Sequence, residues 1–139
     1  SGIYRINKLE KLNRRLKSVR KNDLHPRFFS INSSGDWILL FNEGAISFSS
    51  VPDDFYIVYT QMKEDGYPVK CAALSNRRNW IIINEIMSFS NKASIRKQLK
   101  EKSIDNYSIS QVCSNGNYFF LGGKDSPCWE RVEVFNDYE

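Results

Sequence analysis

The chain has a single histidine, His25, only three cysteines, and no apolar run long enough to cross a bilayer. One imidazole and no Cys-x-x-C pair exclude the usual ligand sets of structural zinc, and three thiols are too few for a disulfide-built scaffold. Cys71, Cys113 and Cys128 read as free thiols, with Cys113 and Cys128 the pair that neighbouring strands would bring together in an oxidising compartment. The longest uncharged apolar runs, Trp37 to Phe41 and Trp80 to Ile83, fall far short of the roughly 20 residues a spanning helix needs, so no membrane partner is expected. The chain begins Ser-Gly rather than Met, which reads as a trimmed start and leaves the compartment open.

Acidic residues are scarce at the start of the chain. Residues 1–30 hold nine Lys/Arg against two acids, a balance of +7, and the remaining 109 residues carry −3. The basic character therefore belongs to the leading segment. There Ile3, Ile6, Leu9, Leu12, Leu16 and Val19 recur at three and four residues, which predicts an amphipathic helix ending near Lys21. Seven Lys/Arg from Lys8 to Lys21 fill its other positions. The Leu9, Leu12, Leu16, Val19 spacing also fits a short coiled-coil seam, but docking of the helix on its own unit explains it more simply.

What the chain has in quantity is self-similarity. Phe28 to Asn42, Cys71 to Glu85 and Ile109 to Gly123 align without a gap: an apolar run, a polar connection, then an aromatic residue (Trp37, Trp80, Tyr118) opening a denser apolar run. The spacings of 43 and 38 residues lie in the range of stacked or radially arranged units. Each pair of runs reads as a hairpin, and Ala45 to Ser49 and Ile86 to Asn91 as a short third strand. Pro52-Asp53-Asp54 opens a second helix with Phe55, Val58, Tyr59 and Met62 inward, closed by Asp65-Gly66-Tyr67-Pro68. A third helix, from about Lys92 to Lys102, has Ile95 and Leu99 as anchors and Asn91 or Ser94 as cap, and Trp129 to Phe135 closes the chain as a strand. The expectation is one α+β domain, 1–139, of three helix-hairpin repeats (3–49, 50–90, 91–135) forming an antiparallel sheet with helices packed on it, or closing like a propeller or barrel. Because every side chain in Trp37 to Phe41 and Trp80 to Ile83 is apolar, both faces of those strands must be covered.

Catalytic constellations are thin. His25 and Cys71 form the one nucleophile pair to test, yet His25 precedes a proline in a loop and Cys71 sits in an apolar run. Glu43 and Glu85 occupy matching positions, and equivalent residues in successive units usually serve the unit. Gly122-Gly123-Lys124 lacks the flanking residues of a phosphate loop, and Asp36, Asn79 and Asn117 bring too few carboxylates for calcium. No catalytic, metal or cofactor residues are expected. The partner-binding candidates are Arg14, Arg15, Lys17 and Arg20 on the first helix, with Arg77 and Arg78 in the second hairpin turn, facing an acidic protein, a second copy or nucleic acid. The bland reading is a solvated polar face, and with no aromatic interleaved, base stacking is not indicated.

The combination Gly35-Asp36-Trp37, then Ser47-Phe48-Ser49 with Pro52 opening a helix, then the Trp80 strand, resembles tandem modules of uncharacterised bacterial proteins, some joined to hydrolase-like domains. That resemblance implies a repeat scaffold and transfers no activity. The short strands with Ser-Gly-Asp connections also look like β-propeller blades. A non-catalytic binding or accessory module is the expected role, with a nucleic-acid-associated protein and a hydrolase fragment as alternatives.

Overall fold

The structure is a computed structural model that describes residues 2–76, 78–101, 109–115, 118–123 and 130–133, without the side chains of residues 2–6 and 130. Among these residues the chain forms three helices and nine strands, in the order α1 (Gly2–Lys21), β1 (Pro26–Ile31), β2 (Trp37–Phe41), β3 (Ile46–Phe48), α2 (Asp53–Glu64), β4 (Cys71–Leu74), β5 (Trp80–Ile83), β6 (Ser88–Ser90), α3 (Ala93–Glu101), β7 (Ile109–Ser114), β8 (Tyr118–Gly123) and β9 (Glu130–Glu133). The strands make three separate antiparallel sheets, β1-β2-β3, β4-β5-β6 and β7-β8-β9, not the single sheet expected, and no barrel closes among them.

The reason for separate sheets lies in the dense runs. All five residues of β2 and all four of β5 are buried, so each central strand needs cover on both faces. On one face of β2, Trp37, Leu39 and Phe41 pack with Val19 and Leu12 of α1. On the other, Ile38 and Leu40 share a cluster with Phe55, Tyr59 and Met62 of α2 and with Ala72, Leu74, Trp80 and Ile82 of the second sheet. The opposite face of that sheet, Cys71, Ala73, Ile81 and Ile83, packs with Ile95 and Leu99 of α3 and with Val112, Phe119, Leu121 and Val132 of the third. Helix and sheet thus alternate through the molecule, and β1, β4 and β7 approach one another pairwise.

β1 and β4 run side by side, joined by side chains instead of a backbone ladder. Arg27 donates to the carbonyls of Val69 and Lys70, Ser30 Oγ to Ala72 O at 2.7 Å, and Asn32 Nδ2 to Leu74 O and Ser75 O at 3.2 Å each. Asn32 Oδ1 accepts from the N–H groups of Ser34 and Asp36, so this buried amide is fully used.

The hairpins β1-β2 and β4-β5 share a register. Ile31 pairs with Trp37 and Leu74 with Trp80, across turns whose left-handed residues are Gly35 (φ 83°) and Arg78 (φ 63°). Each tryptophan N–H is locked alike: Trp37 N to Ser49 Oγ, which donates to Asp36 Oδ1, and Trp80 N to Asn91 Oδ1, whose Nδ2 donates to Asn79 Oδ1. Each indole Nε1 reaches the helix that precedes its sheet in the chain, Lys8 O at 2.8 Å and Asp54 Oδ1 at 3.0 Å.

The gapless alignment fails in the third unit. Its hairpin pairs Ser114 with Phe119, so Phe119, fully buried, stands where Trp37 and Trp80 stand. Tyr118 is only half-buried and lies beneath Arg131, 4.7 Å from its guanidinium. The third strands also differ. Phe48 pairs with Ile38, but Phe89 pairs with Ile82, one position further along the central strand than the alignment of β2 with β5 would place it. Asn91 Oδ1 serves the Trp80 N–H and not the start of α3, and Ser90 Oγ accepts the Lys92 N–H instead; Ser94 Oγ has no hydrogen-bond partner among the described residues.

Candidate functional site

The expected helix forms, but its inward face is not the aliphatic stripe alone. Lys8, Leu12, Arg15 and Val19 point toward the first sheet, whereas Leu9 (42% exposed) and Leu16 (47%) lie on a flank open to solvent. Lys8 enters because it finds a charge: its Nζ is 3.0 Å from Asp36 Oδ1. Arg15 finds none. Its Nε donates to Ser47 Oγ at 2.6 Å, its Nη1 to Ser18 Oγ at 3.2 Å, and its guanidinium lies 5.1 Å from the ring centre of Phe41.

Between α1 and β3 an open groove of about 550 Å³ is lined by Lys11, Arg14, Arg15, Trp37, Ile46, Ser47 and Phe48. Lys11 Nζ sits 5.7 Å from the Phe48 ring centre and donates to Ser49 O at 3.2 Å. No carboxylate pairs with Lys11, Arg14 or Arg15 among the described residues. Aromatic and aliphatic carbon beside three cations that no described carboxylate pairs with suits a ligand that is anionic and partly apolar.

The partner-binding residues expected from sequence are divided by the fold. Arg14 and Arg15 meet at the groove, Lys17 and Arg20 are exposed away from it, and Arg77 lies outside the described residues. Arg78 is exposed and donates to Ser50 Oγ at 3.4 Å, just past the end of β3. Sequence reasoning counted Lys11 among the seven basic residues of the helix without singling it out, and missed the groove residues Trp37, Ile46 and Phe48. The available signal was the run of small and apolar residues Ala45 to Ser49 lying within reach of an unpaired basic helix.

The remaining candidates do not converge. His25 is exposed, its Nδ1 is 2.8 Å from Glu43 Oε2, and its backbone N–H donates to Glu43 Oε1 at 2.8 Å. The hydrogen bond and charge of Glu43 raise the histidine pKa, and the same contacts lower that of Glu43. Cys71 is fully buried and burial pushes its thiol up to about 12, so no thiolate is on hand for nucleophilic chemistry. Glu85 is exposed. Among the described residues no three His, Cys, Asp or Glu side chains group as a metal site would require, and no helix is long and apolar enough to cross a membrane. Cys128, Asn117 and Lys124 lie outside the described residues, as does the expected Cys113–Cys128 pair. Comparison with family models, curated proteins and solved structures gives no match.

Proposed function

We propose that the chain is a tandem array of helix-and-sheet units acting as a non-catalytic binding module, and that its ligand sits in the groove between α1 and β3. The observation that carries this reading is the set Lys11, Arg14 and Arg15, which no carboxylate among the described residues pairs with, in a groove lined also by Trp37, Ile46, Ser47 and Phe48. An anionic ligand would give these cations the charge-assisted hydrogen bonds that no described carboxylate supplies. The shared register and tryptophan locks of the first two units support the tandem reading.

A second reading, nucleic-acid association, rests on the solvent-facing Lys17 and Arg20. Fluorescence anisotropy with a labelled acidic peptide and a labelled DNA duplex, on Lys11→Glu/Arg14→Glu and Lys17→Glu/Arg20→Glu proteins, separates the two. The groove reading expects peptide binding that the first pair of substitutions abolishes and the second leaves in place. Duplex binding that only the second pair abolishes, with a steep salt dependence, would instead establish the nucleic-acid reading.

A further inference from the structure

The geometry points to strand addition at β3: we propose that the groove receives an extended peptide of alternating acidic and apolar residues, hydrogen-bonded to the free edge of the first sheet. This rests on the groove reading above and specifies its ligand.

The edge is identified by the ladder. Ser49 N–H donates to Trp37 O and Phe41 N–H to Ala45 O, both at 3.1 Å. Hydrogen-bonded and non-hydrogen-bonded pairs alternate in an antiparallel ladder, so Leu39 and Ser47 form the bonded pair between them. Ile38 with Phe48 and Leu40 with Ile46 are the non-bonded pairs, and the N–H and C=O groups of Ile46 and Phe48 point away from β2. No group among the described residues bonds them.

The corresponding edges elsewhere are occupied. On β6, Ser90 O accepts from Arg96 Nη1 at 2.7 Å. On β9, Gln98 of α3 acts as a backbone unit would, donating from Nε2 to Glu133 O at 2.8 Å and accepting the Glu133 N–H on Oε1 at 2.9 Å. The hydrogen bonds that α2 makes here go to the loop before β3, where Tyr59 Oη and Lys63 Nζ donate to Gly44 O. The backbone groups at the edge beside the groove are therefore the ones these helices leave unbonded, and both edge residues are only partly buried.

The pattern of the ligand follows from the pleat. A strand added beside β3 sends alternate side chains to the two faces of the sheet. On the α1 face they meet Lys11, Arg14 and Arg15, which calls for carboxylates. On the other they meet Phe48 and the half-exposed Tyr56, whose ring centres are 6.0 Å apart, which calls for aliphatic carbon.

The test is a competition series by anisotropy with the capped peptide Glu-Val-Glu-Val-Glu-Val-Glu, a same-composition peptide with the acids in one block, and alternating peptides N-methylated at every other residue in either phase. Strand addition expects the block peptide to bind about tenfold more weakly or worse, and methylation in one phase only to cost about tenfold per lost backbone bond. Lys11→Glu/Arg14→Glu should weaken the alternating peptide by about tenfold or more, with far-UV circular dichroism unchanged. Equal binding of block and alternating peptides, lost in the charge-reversed protein, would overturn strand addition and leave the groove an anion site. Absence of binding by every anionic probe would overturn the groove reading itself. Cations that only guard an edge against pairing, a common use of edge charge, give that second result.

Discussion

Asn32 donates its side-chain amide to the carbonyl oxygen of Leu74 at 3.2 Å, crossing from the first hairpin turn to the end of the second sheet's first strand. The same amide holds Ser75 O, Ser34 N–H and Asp36 N–H. Asn32→Ala strands these groups at a buried site, so a loss on the order of 3 kcal/mol is expected from urea unfolding. Ser33→Ala, at an exposed hydroxyl in the same turn, should change little.

The register of the third hairpin predicts a reversal of what the sequence alignment implies. Phe119→Ala should cost about 3 to 5 kcal/mol, as should Trp80→Ala, because both vacate fully buried space. Tyr118→Ala should cost on the order of 1 kcal/mol, since its ring is half-buried under Arg131. Equal losses at Tyr118 and Phe119 would mean that the hairpin is paired as the gapless alignment has it.

The His25–Glu43 pair fixes a pH dependence. A raised histidine pKa adds stability that is complete below the ordinary value of 6.5 and is lost as pH rises through the folded value. A lowered carboxylate pKa adds stability that is complete above 4.5 and is lost as pH falls through the folded value. The pair therefore contributes most between 4.5 and 6.5. In an NMR titration, Glu43→Gln should bring the His25 midpoint down toward 6.5.

Cys71 offers a check on the core. In a protein carrying Cys113→Ser and Cys128→Ser, the remaining thiol should react with a disulfide reagent only as fast as the chain opens, because it is buried and held protonated. Rapid labelling under native conditions would contradict the placement of β4 between α2 and α3.

The fold was legible where the signal was apolar. The dense runs at Trp37 and Trp80 announced covered central strands, and Phe55, Tyr59 and Met62 gave the inward face of α2. Parity was not legible. Five residues separate Ile31 from Trp37 and Leu74 from Trp80, but four separate Ser114 from Phe119, and one residue fewer turns every following side chain to the other face. The straps from Ser30 and Asn32 were also hidden, since polar residues in a strand read as solvent-facing until a second sheet is laid against them. Of the site, Arg14 and Arg15 were found from charge alone. Their role was not, because nothing in the sequence distinguishes Lys8, paired with Asp36, from Lys11, which no carboxylate among the described residues meets.

Amide hydrogen exchange at Ile46, Ser47 and Phe48, followed by NMR with and without Glu-Val-Glu-Val-Glu-Val-Glu, tests the open edge most directly. The expected result is fast exchange at Ile46 and Phe48 beside slow exchange at Ser47, with both fast amides slowed when the peptide is added. Slow exchange at Ile46 and Phe48 in the free protein, or no change on adding peptide that binds, would contradict it.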